Sequence, residues 1–375
     1  MATTGIGLAL SGGGFRAALF HFGSLLRLNE LGLLPQVREV CSVSGGSIVA
    51  GQLALRWRAL EFDAAGVAAN LDDCVGVPLR AFCRRTIDLR ALLGGWLHPF
   101  RRPSHYLERS YDRHLFRGAT LQDLPLDAEG PRFTFYATSL QTGASVRFSR
   151  PYLGEYHLGR VLKPRLSLAK VVTASSAFPP FFVPVRLTLD PDAWQEERGA
   201  DLYASRRLRS LMLLGDGGIY DNLGVQRIWE RYETILVSDA GAPFPIIERP
   251  GALGLSQVAR TRRVLDIISE QTRALRRRDV VRELVERRRC GAYWGIATRI
   301  EDYDLASRGR RPALTADSEQ TAELARVRTR LNRFSAAEQG RLINWGYALT
   351  DAALRCHLIE QDAPAGRWPD AAHAL

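Results

Sequence analysis

The sequence predicts a three-layer α/β fold in which a mostly parallel central sheet is flanked by helices. Two segments near the N-terminus, residues 8–16 and 40–46, pass from an apolar strand through a glycine-rich turn into a helix-like pattern. A third apolar stretch, residues 210–214, ends in Gly215-Asp216-Gly217-Gly218. Repeated strand–turn–helix units are typical of parallel sheets, because each crossover helix returns the chain to the same edge.

The first unit comprises a strand at residues 6–10, a helix at residues 15–32 and a second strand at residues 38–43. A right-handed crossover makes the two strands parallel, so both glycine turns emerge at the carboxyl edge of one sheet. Open α/β folds place their sites at this edge. The sequence therefore predicts a functional site between the two turns.

Ser44 is the candidate nucleophile at this edge. It stands where the apolar run 40–43 breaks into Ser44-Gly45-Gly46 and a helix begins. In a nucleophile elbow, a serine on such a sharp turn projects its hydroxyl above the sheet. We expect Gly45 and Gly46 to support the turn, because a residue without Cβ tolerates close backbone approach.

The first turn provides a candidate oxyanion hole, made of Gly12, Gly13 and Gly14. Their N–H groups can face a ligand at the start of a helix, where the helix dipole also favours negative charge. Loss of one such donor typically lowers a rate by about 100- to 1,000-fold. The two turns together indicate an acyl hydrolase.

Asp216 is the candidate general base. If the strand at residues 210–214 joins the same parallel sheet, Asp216 arrives at the same edge as Ser44. A carboxylate within hydrogen-bonding distance of a serine can take its proton, and burial raises its pKa toward a useful value. Two glycines that follow the aspartate are expected to support its turn, Gly217 and Gly218.

Two alternative interpretations of these motifs are disfavoured. Gly12-x-Gly14-x-x-Ala17 also fits a dinucleotide fingerprint, but no acidic residue ends the second strand to bind a ribose. A histidine base after the aspartate would be His357 or His373, and neither follows a glycine turn that would display it.

Other polar residues near the turns have structural interpretations. His21 lies on the core face of the first helix, and Asp239 ends a further strand at residues 234–238, where we expect a structural role. For Asp221 and Asn222 the sequence allows two interpretations, a role in the site or a role as turn or helix-cap residues.

The ordered motifs resemble the patatin-like phospholipases, a family that includes bacterial phospholipases and is related to the calcium-dependent cytosolic phospholipases of animals. The resemblance spans about residues 5–242 and rests on five segments in the family's order: residues 11–17, 42–46, 136–143, 174–182 and 216–218. It implies a Ser–Asp dyad, in which Ser44 attacks the ester carbonyl while Asp216 takes its proton and later activates water. It implies no cofactor and no metal.

The resemblance also gives Arg16 a role beside the oxyanion loop, either meeting the substrate phosphate or bracing the loop. Two residues depart from the common pattern. Ser42 stands where the elbow usually has a glycine, and Ser11 stands where plant-type members carry an aspartate. Neither change removes a chemical group that the mechanism requires.

Two apolar segments are candidates for the lid or the acyl-chain pocket. Residues 60–130 are predicted to form a mostly helical insertion, and within it Trp96, Leu97 and Phe100 precede two arginines. Such a segment fits a lid or interfacial anchor, or equally a part of the core. The proline-rich run 178–185 is expected to wall the pocket or close the core through Phe178, Phe181 and Phe182.

The 375-residue chain, 46% hydrophobic, can bury a large core as one elaborated domain or two. With the resemblance, we expect a single catalytic domain over residues 1–362 and a flexible tail at residues 363–375. The chain has no apolar run of about 18 residues and no basic N-terminal region, so we expect a cytoplasmic protein with peripheral membrane association. Five cysteines without metal-ligand spacing fit a reducing compartment.

The net charge of +11 is carried almost wholly by arginine, because the chain contains only two lysines, Lys163 and Lys170. Arginines are concentrated in a predicted helix at residues 256–289. This basic helix fits a solvated helix face or attraction to anionic lipid headgroups. Nucleic-acid binding is disfavoured, because no recognition motif accompanies the charge.

The C-terminal part reads as a strand at residues 292–298 followed by helices at residues 317–359. Ser335 and Glu338 form a capping-box pattern that predicts the start of the last helix.

The sequence therefore predicts a serine lipid acyl hydrolase that acts on glycerophospholipids or lysophospholipids at a transient membrane surface. The alternative from another class is a catalytically idle or signal-gated module that binds membranes through its basic helix.

Overall fold

An eleven-stranded sheet forms the centre of the molecule in the computed structural model, which describes residues 3–88, 103–179, 182, 184–248, 251, 256–359 and 363–375. The strands are β1 (Thr3–Leu10), β2 (Val37–Val43), β3 (Arg132–Ser139), β4 (Ser145–Phe148), β5 (Tyr152–Glu155), β6 (Gly159–Leu162), β7 (Val185–Thr188), β8 (Trp194–Gln195), β9 (Leu211–Asp216), β10 (Tyr232–Asp239) and β11 (Cys290–Gly295).

The sheet is mixed. Its order along the main path is β11-β10-β1-β2-β3-β4-β5-β6-β8, while β9 pairs with β3 and β7. The five strands from β11 to β3 are mutually parallel. The short strands β4, β5, β6 and β8 continue it antiparallel. Short connections join β3 to β4, β4 to β5 and β5 to β6, as antiparallel pairing allows. The predicted α/β class is thus confirmed, with a parallel centre and an antiparallel extension.

The helices that the structure describes are α1 (Gly14–Glu30), α2 (Gly45–Arg56), α3 (Val77–Cys83), α4 (Pro103–Tyr111), α5 (Leu168–Ser175), α6 (Arg206–Ser210), α7 (Gly218–Asp221), α8 (Gln226–Arg231), α9 (Gln257–Val285), α10 (Glu319–Arg326) and α11 (Ala336–His357). Short 3₁₀ and π turns lie between them, the π turns at Asp72–Gly76 and Asp112–Phe116. Among the described helices, none combines the length and apolar character needed to cross a bilayer.

Alternate residues of the central strands face two separate cores. Leu8 and Leu10 of β1 pack in the larger core, which includes side chains from α1, α2 and α11. Ala9, between them, faces a smaller core that includes Ile228 of α8 and Val280 of α9. This alternation follows from the two-residue period of a strand and produces the three layers.

The larger core is closed by two helices in very close contact. A Cβ on Gly23 of α1 would lie 1.9 Å from the carbonyl oxygen of Ile343, and a Cβ on Gly346 of α11 would lie 2.0 Å from that of Phe20. Both positions therefore require glycine for the helix backbones to approach this closely. The predicted capping box at Ser335 is confirmed, since both of its hydrogen bonds are present at the start of α11.

The C-terminal segment differs from its prediction as a flexible tail. Residues 363–375 pack against α11, where the Asn344 side-chain amide donates to the carbonyls of Asp370 and His373 at 2.8 Å each. Trp368 is partly buried against the larger core. Apolar contact and backbone hydrogen bonding thus hold a segment whose sequence lacks regular periodicity.

The insertion at residues 60–130 contributes to the larger core as far as it is described. Side chains from its helices are fully or almost fully buried there, namely Leu79, Phe82, Leu107 and Tyr111. The lid candidates Trp96, Leu97 and Phe100 lie outside the described residues.

Candidate active site

Ser44 lies on the sharp turn between β2 and α2. Its backbone has φ 51° and ψ −117°, a left-handed conformation that a non-glycine residue rarely adopts. The surrounding backbone fixes this turn tightly. A Cβ on Gly45 would lie 2.1 Å from the Gly14 carbonyl oxygen, and a Cβ on Gly46 would lie 2.4 Å from that of Leu10. The glycine loop after β1 therefore lies directly against the serine turn.

A chain of serine hydroxyls supports the turn from below. The Ser44 N–H donates to Ser175 Oγ at 3.0 Å, and Ser175 Oγ lies 2.8 Å from Ser47 Oγ. Ser47 Oγ in turn lies 3.0 Å from Ser42 Oγ. The serine that replaces the usual glycine of the elbow is thus part of a buried hydrogen-bond network. Sequence reasoning did not assign Ser47 or Ser175 to the site.

Asp216 reaches Ser44 by a different route from the predicted one, because β9 runs antiparallel to its neighbour β3. On β3, Tyr136 pairs with Val43 of β2, and the next residue, Ala137, pairs with Asp216. Since β4 occupies the other edge of β3, β2 and β9 share one edge and meet end to end. Ser44 and Asp216 therefore leave their strands at the same point.

The Asp216 carboxyl is buried and lies close to the Ser44 side chain, whose hydroxyl favours the charged form. Its Oδ1 also accepts a hydrogen bond from the Gly218 N–H at 2.7 Å. Burial raises the pKa of Asp216 to about 7, against the lowering effect of these two donors. A carboxyl with this pKa can take a proton from the serine and return it near neutral pH.

The three glycines of the predicted oxyanion loop differ in whether their N–H groups have a hydrogen-bond partner. The Gly12 N–H donates to the Asn222 carbonyl at 3.1 Å and is therefore engaged. Gly13 and Gly14 have φ of 149° and 61°, and their amides stand at the first turn of α1, where N–H groups have no partner within the helix. Within the described residues, the N–H groups of Gly13 and Gly14 thus have no backbone hydrogen-bond partner.

Asn222 is a site residue that sequence reasoning did not resolve. Its Oδ1 would lie 2.4 Å from a Cβ on Gly12 and 2.6 Å from a Cβ on Gly218, so it fills the space between the oxyanion loop and the aspartate turn. Asp221, the preceding residue, holds the backbone that follows Asn222. Its carboxylate accepts N–H hydrogen bonds from Leu223 and Val225 at 3.1 Å each.

Arg16 lies in the first turn of α1, directly after the glycine loop, and its side chain is buried. Its buried guanidinium donates to the Ala240 carbonyl at 2.8 and 3.1 Å and to the Val327 carbonyl at 2.6 Å. Burial lowers the pKa of Arg16 to about 10. These contacts tie the first turn of α1 to the segments that follow β10 and α10.

His21 lies beneath the same loop and is fully buried. Its Nε2–H donates to the Ser11 carbonyl at 2.9 Å, so the neutral ring accepts at Nδ1 from Ser238 Oγ at 2.7 Å. Burial lowers the pKa of His21 to about 4. Asp239 is structural as expected, since it accepts from the Tyr293 hydroxyl at 2.9 Å.

The pocket candidates are described only in part. Phe178 is 41% exposed and follows Ala177, whose carbonyl accepts the Asp216 N–H at 3.0 Å, so Phe178 lies near Asp216. Phe182 is partly buried against the larger core. Phe181 lies outside the described residues. Across the described part of the chain, no group of three or more His, Cys, Asp or Glu side chains is arranged to hold a metal.

Comparison with known proteins identifies the fold. Human GIVD cytosolic phospholipase A2 in complex with methyl gamma-linolenyl fluorophosphonate has a similar structure, with a TM-score of 0.50 and 14% identity over 94% of this chain and 58% of that chain. Another structure of the human enzyme has a TM-score of 0.45 and 14% identity, over 69% of this chain and 48% of that chain. VipD from Legionella pneumophila has a TM-score of 0.38 and 16% identity, over 95% of this chain and 67% of that chain.

The chain spans about half the length of the human enzyme. None of the curated proteins compared with the chain matches it. The family model described as "Patatin-like phospholipase" matches residues 8–229, which is more than half of the chain. With its serine turn, glycine loop and buried aspartate all within or close to that region, the chain belongs to the patatin-like phospholipase family.

Proposed function

We propose that this protein hydrolyses carboxylic esters of glycerophospholipids or lysophospholipids through Ser44 and Asp216. The observation that carries the proposal is that Ser44, on its strained turn, lies beside a buried carboxyl whose pKa is about 7. A serine is a weak nucleophile unless a base takes its proton, and this carboxyl is placed to do so.

The reaction proceeds in two steps. Ser44 Oγ attacks the ester carbonyl carbon as its proton passes to Asp216, and the N–H groups of Gly13 and Gly14 stabilise the resulting oxyanion. The C–O bond to the leaving alcohol then breaks, and Asp216 returns the proton to that oxygen. In the second step Asp216 takes a proton from water as the water oxygen attacks the acyl carbon. The bond between that carbon and Ser44 Oγ then breaks, the fatty acid leaves, and Asp216 returns the proton to Ser44 Oγ.

The Ser44→Ala variant tests this assignment. We expect it to lose covalent labelling by a fluorophosphonate and to release fatty acid at least about 1,000-fold more slowly, because no other group replaces the nucleophile. Ser307→Ala, at an exposed serine, is the matched control and should label like wild type. The proposal is wrong if folded wild-type protein neither labels nor releases fatty acid from any ester.

Mass spectrometry of the products released from mixed phospholipids, comparing wild type with Ser44→Ala, identifies the substrate class. Loss of one acyl chain from diacyl lipids indicates a phospholipase A. Products from monoacyl lipids alone indicate a lysophospholipase.

We also propose that the first half of α9 contacts the membrane. Arg273 donates to the carbonyls of Gly241 and Ala242, just after β10, whereas Arg289 donates to the carbonyl of Tyr232, where β10 begins. Residues 257–272 therefore extend about 24 Å beyond the carboxyl edge of the sheet. Four apolar side chains are exposed on this part: Val264, Leu265, Ile267 and Ile268.

This surface projects from the edge that carries Ser44, so its insertion would bring the site to the lipid. The Ile268→Glu variant should bind anionic vesicles about ten- to a hundredfold more weakly, because one large inserted side chain contributes roughly 1.5–3 kcal/mol. Vesicle co-sedimentation measures the loss. Val77→Glu is the matched control, since Val77 is 53% and Ile268 57% exposed. Equal binding by both variants would exclude α9 as the contact.

A further inference from the structure

An open cleft lies over the antiparallel part of the sheet. It is on the same face of the sheet as helix α8, which covers the parallel strands. Helix α8 packs over β10, β1 and β2. Beyond it, residues of β4, β5 and β6 line a cleft of about 850 Å³ together with α8 residues. This cleft is distinct from the site described above, because neither Ser44 nor Asp216 lines it.

Strand register places arginines in a row across this face. Tyr136 of β3 pairs with Arg147 of β4, Arg147 pairs with Gly154 of β5, and Gly154 pairs with Arg160 of β6. Directly paired residues project to the same face of a sheet. Arg147 and Arg160 therefore point into the cleft about 10 Å apart, with no side chain on the strand between them.

The charge of the cleft is strongly positive. Six arginines line it against two glutamates: Arg132, Arg147, Arg160, Arg198, Arg227 and Arg231 against Glu155 and Glu197. Glu155 is already engaged, because its carboxylate accepts the N–H groups of His157 and Leu158 at 2.6 and 2.8 Å. Convergent like charges repel one another unless an anion lies between them.

Several of these arginines have carboxylate partners, but the central one has none among the described residues. Arg227 pairs with Glu39 at 2.5 Å, and Arg160 pairs with Glu197 at 3.1 Å. Arg147 forms no ion pair within the described part of the chain. Its guanidinium therefore retains its hydrogen-bonding capacity for a ligand.

Two buried polar atoms at the cleft also lack partners. Ser145 Oγ and Gln226 Oε1 make no hydrogen bond to a described residue, and Ser145 is only 8% exposed. Ser145 lies two residues before Arg147 and so faces the same side of β4. A buried polar atom without a partner costs about 1–3 kcal/mol. A phosphate oxygen can accept from the Ser145 hydroxyl, whereas Gln226 Oε1 is itself an acceptor and needs a donor such as water.

We propose that this cleft binds a ligand that carries two or more phosphate groups. Arginine binds phosphate through two parallel hydrogen bonds, and the separation of Arg147 and Arg160 suits phosphates linked in a chain or carried on a ring. Gly154 has no side chain of its own, and the Tyr152 ring covers it, so that this ring lies between the two arginines. The phosphates can belong to a soluble molecule or to a lipid headgroup.

The cleft also adjoins the aspartate turn. Tyr220 lines the cleft and belongs to α7, which follows Asp216. Ser145 pairs across the strands with Thr138, whose hydroxyl donates to the Asp216 carbonyl at 2.8 Å. An occupied cleft would therefore contact elements that position the base.

Isothermal titration calorimetry with sodium tripolyphosphate tests the site directly. We expect wild-type protein to bind at about 50 mM salt and more weakly at about 150 mM, since salt screens the contributing charges. Arg147→Gln and Arg160→Gln should each weaken binding about tenfold, while Arg341→Gln, at an exposed arginine on α11, should leave it unchanged. Arg147→Lys keeps the charge, and an intermediate affinity is expected because it loses bidentate bonding.

No binding by the wild type, or equal weakening in Arg341→Gln, would overturn the proposal. Ser44→Ala should bind tripolyphosphate like wild type, so this result is independent of the proposed hydrolysis. Vesicles with and without phosphatidylinositol bisphosphate distinguish the two sources. Vesicle binding that requires Arg147 indicates a lipid headgroup, whereas tripolyphosphate binding alone indicates a soluble ligand.

Discussion

Asp216 combines two opposing influences in one side chain. Burial disfavours its charged form, while the donors Ser44 and Gly218 favour it, and the balance places its pKa at about 7. Asp216, the proposed base, is therefore about half protonated at neutral pH. An ordinary exposed aspartate would be ionised there but would be a much weaker base.

This balance predicts the pH dependence of catalysis. Below pH 7 the carboxylate is progressively protonated and cannot accept the serine proton, so kcat/KM on a soluble ester should fall about tenfold per pH unit. Above pH 7 it should level off. A pH–rate profile between about pH 5 and 9 measures the midpoint. A midpoint near 4, the ordinary value for aspartate, would contradict the assignment of Asp216 as the base.

At the scale of elements, strands and turns were predictable from sequence, but their pairing was not. The apolar run and the Gly-Asp-Gly-Gly turn locate β9 and Asp216 correctly. The antiparallel direction of β9 depends on its partners β3 and β7, which are remote in sequence. The same holds for the Gly12 amide, which is engaged by the carbonyl of Asn222. Such contacts leave no periodic signal in the sequence.

The α1–α11 contact yields a prediction for a single methyl group. The Gly346→Ala variant places a Cβ 2.0 Å from the Phe20 carbonyl oxygen, so the two helices must move apart. We expect its free energy of unfolding to fall by about 1–3 kcal/mol. Denaturant unfolding measures the loss. Gly118→Ala is a control without contact, since nothing lies within 4 Å of its Cβ position, although its φ of 81° adds local strain.

For the whole molecule, two buried groups affect stability in opposite directions over the same pH range. His21 has its pKa lowered from 6.5 to about 4, so its contribution is complete above pH 6.5 and is lost as pH falls. Asp216 has its pKa raised from 3.8 to about 7, so its contribution is complete below pH 3.8 and is lost as pH rises. Between pH 5 and 7 the two effects largely cancel.

Removing one of the two titrating groups should make the pH dependence contributed by the other visible in the free energy of unfolding. In the Asp216→Asn variant the downward trend disappears, and stability should rise by about 2 kcal/mol more than in wild type between pH 5 and 7. Denaturant titrations of both proteins at several pH values measure this difference. Parallel pH profiles would show that Asp216 titrates alike in the folded and unfolded states.

The end-to-end meeting of β2 and β9 has a consequence for the protein during its synthesis. The segment with Ser44 leaves the ribosome long before residue 216 is made, and until β9 joins β3 the serine has no base. A growing or prematurely terminated chain can therefore display the nucleophile without attacking cellular lipids. In the proposed enzyme, hydrolysis begins only when most of the sheet has assembled.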